Sequence, residues 1–345
     1  MMVACAHNSV KKFGKNRNGT QRVRCLQCGA TFTIDKPAPQ PKPLGEMRLA
    51  VDDAKMVLHL LTEGNSIRAT ARLTGIEKKT ILKLIVRFGT ACRDFLDARM
   101  KNLTLDHLQF DEQWTFVFKK QSRLTVDQRE TCYDQGDIYI WTCIDQHTKL
   151  MPSFRLGKRT GDNARRFMQD VAGRLTWPSP HASDAHAFQP GEFKRTIQIS
   201  TDGFAAYPEA CDLAFGQYAK YGTIIKQYKN ASMIYTPSEM VGTERTARRG
   251  MDKREVRTIC TSHVERLNGT QRLFLKRLNR LTYAFSKKLE NLEAAFAMFA
   301  AYYNFCWRTR KPNKSGKLRP TAAHMAGLTD HTWTFDELFA AVFAR

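Results

Sequence analysis

From His107 onward the apolar residues of this chain stop recurring every three or four positions and begin to alternate, and this change of period limits the fold more than any other feature. Leu108, Phe110, Trp114 and Phe116 alternate with polar neighbours, with Glu112 interrupting the even positions. Asp137–Ile144 (DIYIWTCI) and Leu150–Leu156 read as further strands. Gly161–Leu175 then has the period of an amphipathic helix, with Ala164, Phe167, Met168, Val171 and Leu175 on one face. After a loop rich in Pro, His and Ala from Trp177 to Gly191, Arg195–Ser200 (RTIQIS) predicts another strand and Phe204–Leu213 a short helix. Strands, then helix, strand and helix predict an α/β layer fold with acidic residues at strand ends, where active sites of such sheets collect. Tyr218–Thr258 is highly charged and lacks a clear period, which predicts a basic insertion or loop rather than core. No internal repeat suggests a solenoid.

The charge narrows the partner. With 55 Lys plus Arg against 33 Asp plus Glu, the 345 residues carry a formal charge of +22, far beyond what solubility needs, and the expected partner is a polyanion such as nucleic acid. A basic protein of the membrane surface is the competing reading, but no window approaches the roughly 20 apolar residues of a spanning helix and no apolar signal segment opens the chain. A cytosolic protein without a membrane partner is expected. The nine cysteines are odd in number and scattered apart from Cys25 and Cys28, which argues against a disulfide framework.

Met1–Lys36 is short, basic and rich in Gly and Asn, with too few apolar residues to bury a core of its own. A metal staple is expected instead. Cys5 with His7 and Cys25 with Cys28 form two ligand pairs a finger's length apart, the second in the knuckle RCLQCGATF, where Gly29 follows the last sulfur. The proline-rich KPAPQPKP (Lys36–Pro43) reads as an extended linker. Met47–Ala98 is helical in period, and within it Ser66–Arg87 places Ala71, Gly75, Ile81 and Leu84 as a helix-turn-helix does: a small residue at the crossing, Gly in the turn, apolar residues seating the second helix. Lys78, Lys79, Thr80, Lys83 and Arg87 would then be available to DNA; the competing reading is a helical hairpin with a solvated charged face.

Three acids stand out. Asp111 lies in the first strand (FDEQWTF), Asp202 just past the later one (STDGFAAY), and Glu265 on the following helix (TSHVERLN). Three elements can thus converge on one point, with carboxylates of the kind that hold two hard cations for phosphodiester chemistry. Glu112 rivals Asp111, but alternation puts it on the opposite face, and Asp111 shares its side with Gln113 and Thr115. Beyond Glu265 a long helix is expected, with Val264, Leu267, Phe274, Leu278 and Leu281 on its apolar face. Glu265, Arg272, Lys276 and Arg280 would form one stripe fit to track a phosphate backbone. Leu289, Leu292, Phe296, Phe299 and Tyr303 predict a helix packed on the sheet. Thr329–Phe343 predicts a short closing helix that could also meet a second subunit.

The knuckle, the helix-turn-helix, DEQW, STDGFAAY, TSHVERLNGTQRLFLKRLNRLTYAFSKKLEN and AAYYNFCWRTR together resemble the DDE transposases of bacterial insertion sequences, in the insertion sequence 1 group. The resemblance runs over nearly the whole chain, and VERLN to FSKKLEN is its most specific block. It implies an RNase H-like α/β catalytic domain over 105–310, a mixed sheet with flanking helices and a basic insertion at about 218–258. Before it would come a zinc-ribbon module (1–36), a linker (37–46) and an all-α helix-turn-helix domain (47–100), and after it a C-terminal extension (311–345). Carried over by motif, the catalytic acids are Asp111, Asp202 and Glu265, with two Mg2+ or Mn2+ ions, and the structural Zn2+ ligands are Cys5, His7, Cys25 and Cys28. Asn268, three residues after the glutamate, would face the same site or a phosphate. The implied partners are double-stranded DNA, as terminal inverted repeats and target, and further copies of the chain assembled on it in the bacterial cytoplasm. Two departures stand out: the first ligand pair is Cys and His rather than two cysteines, and the stretch from Asp202 to Glu265 is long for the simplest members, implying an insertion around Lys226–Arg257. Two other classes compete, a DNA-binding regulator with a non-catalytic RNase H-like domain and a stand-alone RNase H-like nuclease.

Overall fold

The computed structural model describes residues 5–17, 19–33, 43–176, 196–229, 239–311 and 316–344, in two compact units, Met1–Val51 and Asp52–Arg345. Most of the expected linker and the loop from Trp177 to Gly191 lie outside the described residues.

The first unit is an antiparallel sheet of β1 (Val10–Lys15), β2 (Gln21–Cys25) and β3 (Thr31–Thr33), in that order. Of these strands' residues only Val23 and Cys25 are buried, so apolar burial supplies little of the unit's stability.

The second unit opens with α1 (Val51–Thr62), α2 (Ile67–Thr74) and α3 (Lys78–Arg99). Ser66 caps α2 by accepting from the Ala69 N–H at 3.1 Å, and Gly75 ends it in the left-handed region (φ 72°), where glycine carries no steric penalty. Ile81, Leu84, Ile85, Phe88, Cys92, Phe95 and Leu96 are buried along one face of α3. They meet α9 (Leu289–Phe305), at a crossing so close that a Cβ on Gly89 would stand 2.2 Å from the Ala294 carbonyl oxygen. Residues 52–100 fall in the same compact unit as the sheet, with α3 packed on α9.

The remaining elements are β4 (His107–Val117), α4 (Val126–Thr131), β5 (Gly136–Asp145), β6 (Phe154–Gly157), α5 (Gly161–Gly173), β7 (Ile197–Thr201), α6 (Tyr207–Phe215), β8 (Ala219–Lys229), β9 (Glu239–Arg249), α7 (Lys253–Val256), α8 (Ser262–Phe274), α10 (Ala322–Met325) and α11 (Phe335–Phe343). The sheet order is β6-β5-β4-β7-β8-β9. β4, β5 and β6 form an antiparallel meander, β7 and β8 join β4 in parallel, and β9 closes the edge antiparallel. This mixed sheet with flanking helices is compatible with the RNase H-like fold expected from the sequence. Alternation along β4 sorts its two faces: Phe110 packs edge-on against Phe167 of α5 and Phe215 of α6, whereas Gln109 and Asp111 reach α8. α9 is buried on nearly every side, and Phe339 and Phe343 of α11 close over Phe88 of α3. The closing helix thus covers its own chain. Among the described residues no helix is long and apolar enough to cross a membrane.

Two sequence expectations are corrected. The segment 218–258 is not an inserted loop, because β8 is an inner strand with Ala219, Tyr221, Thr223 and Ile224 buried. Lys220 obscured its period, yet that charge is neutralised by Glu255, and Gly222 lets Ile259 pack where a Cβ would stand 2.3 Å from it. The long helix after Glu265 ends at Phe274, so Lys276 and Arg280 are not on it and Leu281 is exposed. Arg277 explains the break. Its guanidinium is buried and donates to Ser286 Oγ and the Asn291 carbonyl, both at 2.8 Å, which a continued α8 does not provide.

Candidate active site

β4 and β7 are paired only as far as Gln109 and Ser200, so the side of β4 facing β7 opens just where Asp111 and Glu112 follow. Asp202 comes one residue after β7 ends. Its Oδ1 accepts from the Phe204 N–H at 3.0 Å, a local turn that holds the carboxylate at the strand end. Carboxylate oxygens of Asp111, Glu112 and Asp202 all lie within 4.8 Å of one another. Asp111 and Glu112 point to opposite faces, yet both flank Asp202 because it stands at the opening.

Each carboxylate has its own setting. Asp111 Oδ1 accepts from the Glu112 N–H at 2.9 Å and Oδ2 from Asn268 Nδ2 at 2.7 Å, and Asn268 is a buried residue of α8 whose Oδ1 has no hydrogen-bond partner. Burial, then the charges of Glu112 and Asp202, push the Asp111 carboxyl up to about 7. Glu112 is raised by burial and Asp202. Hydrogen bonds from Tyr207 Oη and Arg159 Nε, both at 2.6 Å, act against that rise, and only 2% of its side chain is exposed. Arg159 in turn stacks over Phe204, 4.2 Å from the ring centroid.

Glu265 stands in the first turn of α8, outside the group of three. It accepts from Thr261 Oγ1 at 2.6 Å and pairs with Lys226 of β8, while its charge still reaches Asp111. The structure thus brings Asp111, Asp202 and Asn268 together and leaves Glu265 beside them on a lysine. Arg272, two turns along α8, is half-buried, and its Nε is without a hydrogen-bond partner. Arg159 and Tyr207 were missed in the sequence. Tyr207 ends the motif STDGFAAY and could have been found there; Arg159 carries no local signal.

A hard divalent cation suits this donor set. Burial and the neighbouring carboxylates, which together push Asp111 toward neutrality, are offset by a double positive charge, and the amide oxygen of Asn268 adds a further oxygen donor.

The first unit holds a second group. Cys5 Sγ lies 3.7 Å from Cys25 Sγ, His7 Nδ1 lies 3.4 Å from Cys28 Sγ, and all four ligand atoms fall within 4.8 Å. Tetrahedral zinc with Zn–S of about 2.3 Å and Zn–N of about 2.0 Å sets neighbouring ligands roughly 3.5–3.8 Å apart, so these residues fit the metal. A hydrogen bond from the His7 ring, first among several, lowers the Cys25 thiol to about 6. Gly29, at φ 75°, turns the knuckle back so that Gly29 N–H meets the Cys25 carbonyl at 3.0 Å. On α3, Lys78, Lys79, Lys83 and Arg87 are exposed and Thr80 is half-buried, with Arg87 lying 5.8 Å from the Phe343 ring centroid.

No family model matches the chain, and no curated protein matches it. Among solved structures it is similar to a piggyBac transposase synaptic complex with hairpin DNA, with a TM-score of 0.38 and 10% identity over 86% of this chain and 73% of that one. A Mos1 transposase paired-end complex with the left transposon end gives 0.16 and 15% identity over 54% of this chain and 63% of that one. Superpositions this distant carry neither fold nor activity across, and the functional reading rests on the residues themselves.

Proposed function

We propose that this chain is a DNA transposase of the DDE type, which binds the terminal inverted repeats of an insertion sequence and carries out metal-dependent strand cleavage and strand transfer in the bacterial cytoplasm as an oligomer on DNA. The observation that carries the reading is the gathering of Asp111 and Asp202, with Glu112, at the opening between β4 and β7 in a chain of charge +22. Asp111, Asp202 and Glu265 would hold two Mg2+ or Mn2+ ions. When bound, such ions neutralise the scissile phosphate and favour a nucleophilic oxygen from water or a 3′-hydroxyl.

The chain's own residues do the positioning. Asn268 fixes the Asp111 carboxylate through its amide, and Arg159 with Tyr207 keeps Glu112 turned to the α6 face. Glu265 joins by exchanging Lys226 for the cluster. Arg272, Lys276 and Arg280 follow the acid along the chain and supply cations for the phosphate backbone. α2 and α3 serve as a helix-turn-helix with Lys78, Lys79, Thr80, Lys83 and Arg87 toward DNA, and Cys5, His7, Cys25 and Cys28 hold a structural zinc. The test is magnesium- or manganese-dependent cleavage and strand transfer on DNA carrying the ends that flank the gene. Activity in the parent and its loss in Asp202→Asn are expected, and a parent that binds but never cuts such DNA would favour a regulator.

A further inference from the structure

Lys149 lies in the turn between β5 and β6, where its ammonium donates to the Gln146 carbonyl and stands 3.0 Å from His263 Nδ1. His263 is the second residue of α8. Its N–H and that of Val264 donate to Gln109 Oε1 at 3.0 and 3.1 Å, which ties the start of the helix to β4 two residues before Asp111. Arg319 enters from the C-terminal segment, its Nη2 donating to the His147 carbonyl of the same turn at 3.1 Å. Arg266 follows His263 on α8, and the charges of Arg319 and Arg266 both bear on Lys149.

Lys149 and Arg319 therefore meet at this turn, with Arg266 one turn along α8 from His263, and among the described residues none of the three lies within 4.0 Å of a carboxylate. Some partly covered cations of this unit are paired, Arg174 with Asp97 and Asp170, Lys220 with Glu255, Arg249 with Asp212, whereas Arg155 and Lys158 are held by the Asn163 amide and by the Gln135 and Asp137 carbonyls. Asp145 accepts from the N–H groups of His107, His147 and Thr148 and from the Thr148 hydroxyl, and its charge still bears on Lys149 without forming an ion pair with it. Burial first, and then Arg319, bring the Lys149 ammonium down to about 8. Like charges held together with only the Asp145 charge bearing against them destabilise the free protein, and a bound anion relieves them. Position identifies the anion. β5 and β8 lie on opposite sides of β4, so α8 presents Glu265 toward Lys226 on one flank and the cations on the other.

We infer that Lys149, Arg266 and Arg319, grouped around His263, form a phosphate-binding subsite that takes one backbone phosphate of the DNA strand passing the acidic cluster, an assignment that rests on the nucleic-acid reading above. The test uses the full chain, duplex DNA of arbitrary sequence and fluorescence anisotropy over a range of salt. The double variant Arg266→Ala, Arg319→Ala should reduce the slope of log affinity against log salt by about 0.9 per lost contact, and the double Arg→Lys variant should retain it. Lys149→Met should weaken DNA binding yet raise the melting temperature, opposite signs that a merely structural lysine does not give. A slope unmoved in the Ala variant, or a Lys149→Met protein that melts lower, overturns the subsite. Inorganic phosphate at matched ionic strength separates a strand from a free anion: binding by the parent that disappears in the Ala variant, without any change in the DNA slope, overturns the strand assignment in favour of a free phosphate. A parent that binds no DNA at any salt defeats the nucleic-acid reading itself, a result distinct from a parent whose slope the variants do not move.

Discussion

The cluster of Cys5, His7, Cys25 and Cys28 and the acidic cluster each gather candidate ligand atoms within 4.8 Å, but they stand in opposite relations to the fold around them. In the first unit three thin strands bury almost nothing, so a metal held by these four residues would take the place of a core. In the second unit a core runs from α3 through α9 to the sheet, and the carboxylates work against it, as the rise of Asp111 to about 7 shows. A ligand set that holds a fold together and one that the fold holds together differ in the sign with which ligand removal changes stability.

The largest effect is expected at the knuckle. Removing zinc by chelation or Cys25→Ser should unfold the first unit and leave the second unit's melting unchanged, since structural zinc in small modules is worth about 10–16 kcal/mol. Elemental analysis with circular dichroism reads both, and a folded ribbon free of metal breaks the comparison. Next, Asp111→Asn, Asp202→Asn and Glu265→Gln should each reduce strand cleavage by roughly 10³-fold or more, about 4 kcal/mol of barrier, and the triple variant should lose little beyond any single one. If Asp111→Asn cuts and Glu112→Gln does not, the first ligand moves one position along β4.

The sign of the acid site comes from Asp111. Its folded-state value lies above its unfolded value of about 3.8, so the folded protein binds the extra proton. Stability from this group is complete below the ordinary Asp range and declines as pH rises toward about 7, by up to about 4 kcal/mol. Asp111→Asn should therefore flatten the pH profile of metal-free protein and raise its melting temperature at pH 8, while Cys25→Ser lowers the stability of its own unit. An Asn variant that melts lower than the parent across this range contradicts the sign. The smallest effect is expected for Lys226→Met, which frees a partly exposed Glu265 from a pair worth at most about 1 kcal/mol and should lower the metal concentration needed for cleavage by a few-fold.

Much of this contrast was legible in the sequence. Alternation placed Asp111 and Glu112 on opposite faces of β4, as found, and CxxC with Gly29 marked the knuckle. Local pattern did not reveal β8, because Lys220 and Gly222 are explained only by Glu255 and Ile259 more than thirty residues later. The period of α8 continued through Leu278 and Leu281, while the chain turned to bury Arg277 against Asn291. Arg159 meets Glu112 only through tertiary structure.

Manganese titration of zinc-loaded protein, by calorimetry with the parent and with Asp111→Asn and Asp202→Asn, tests the central claim most directly. Up to two ions should bind the parent, binding should be lost in both variants, and the zinc content should stay unchanged. Manganese binding of equal strength in the variants, or none in the parent, would contradict the assignment of the acidic cluster as the metal site.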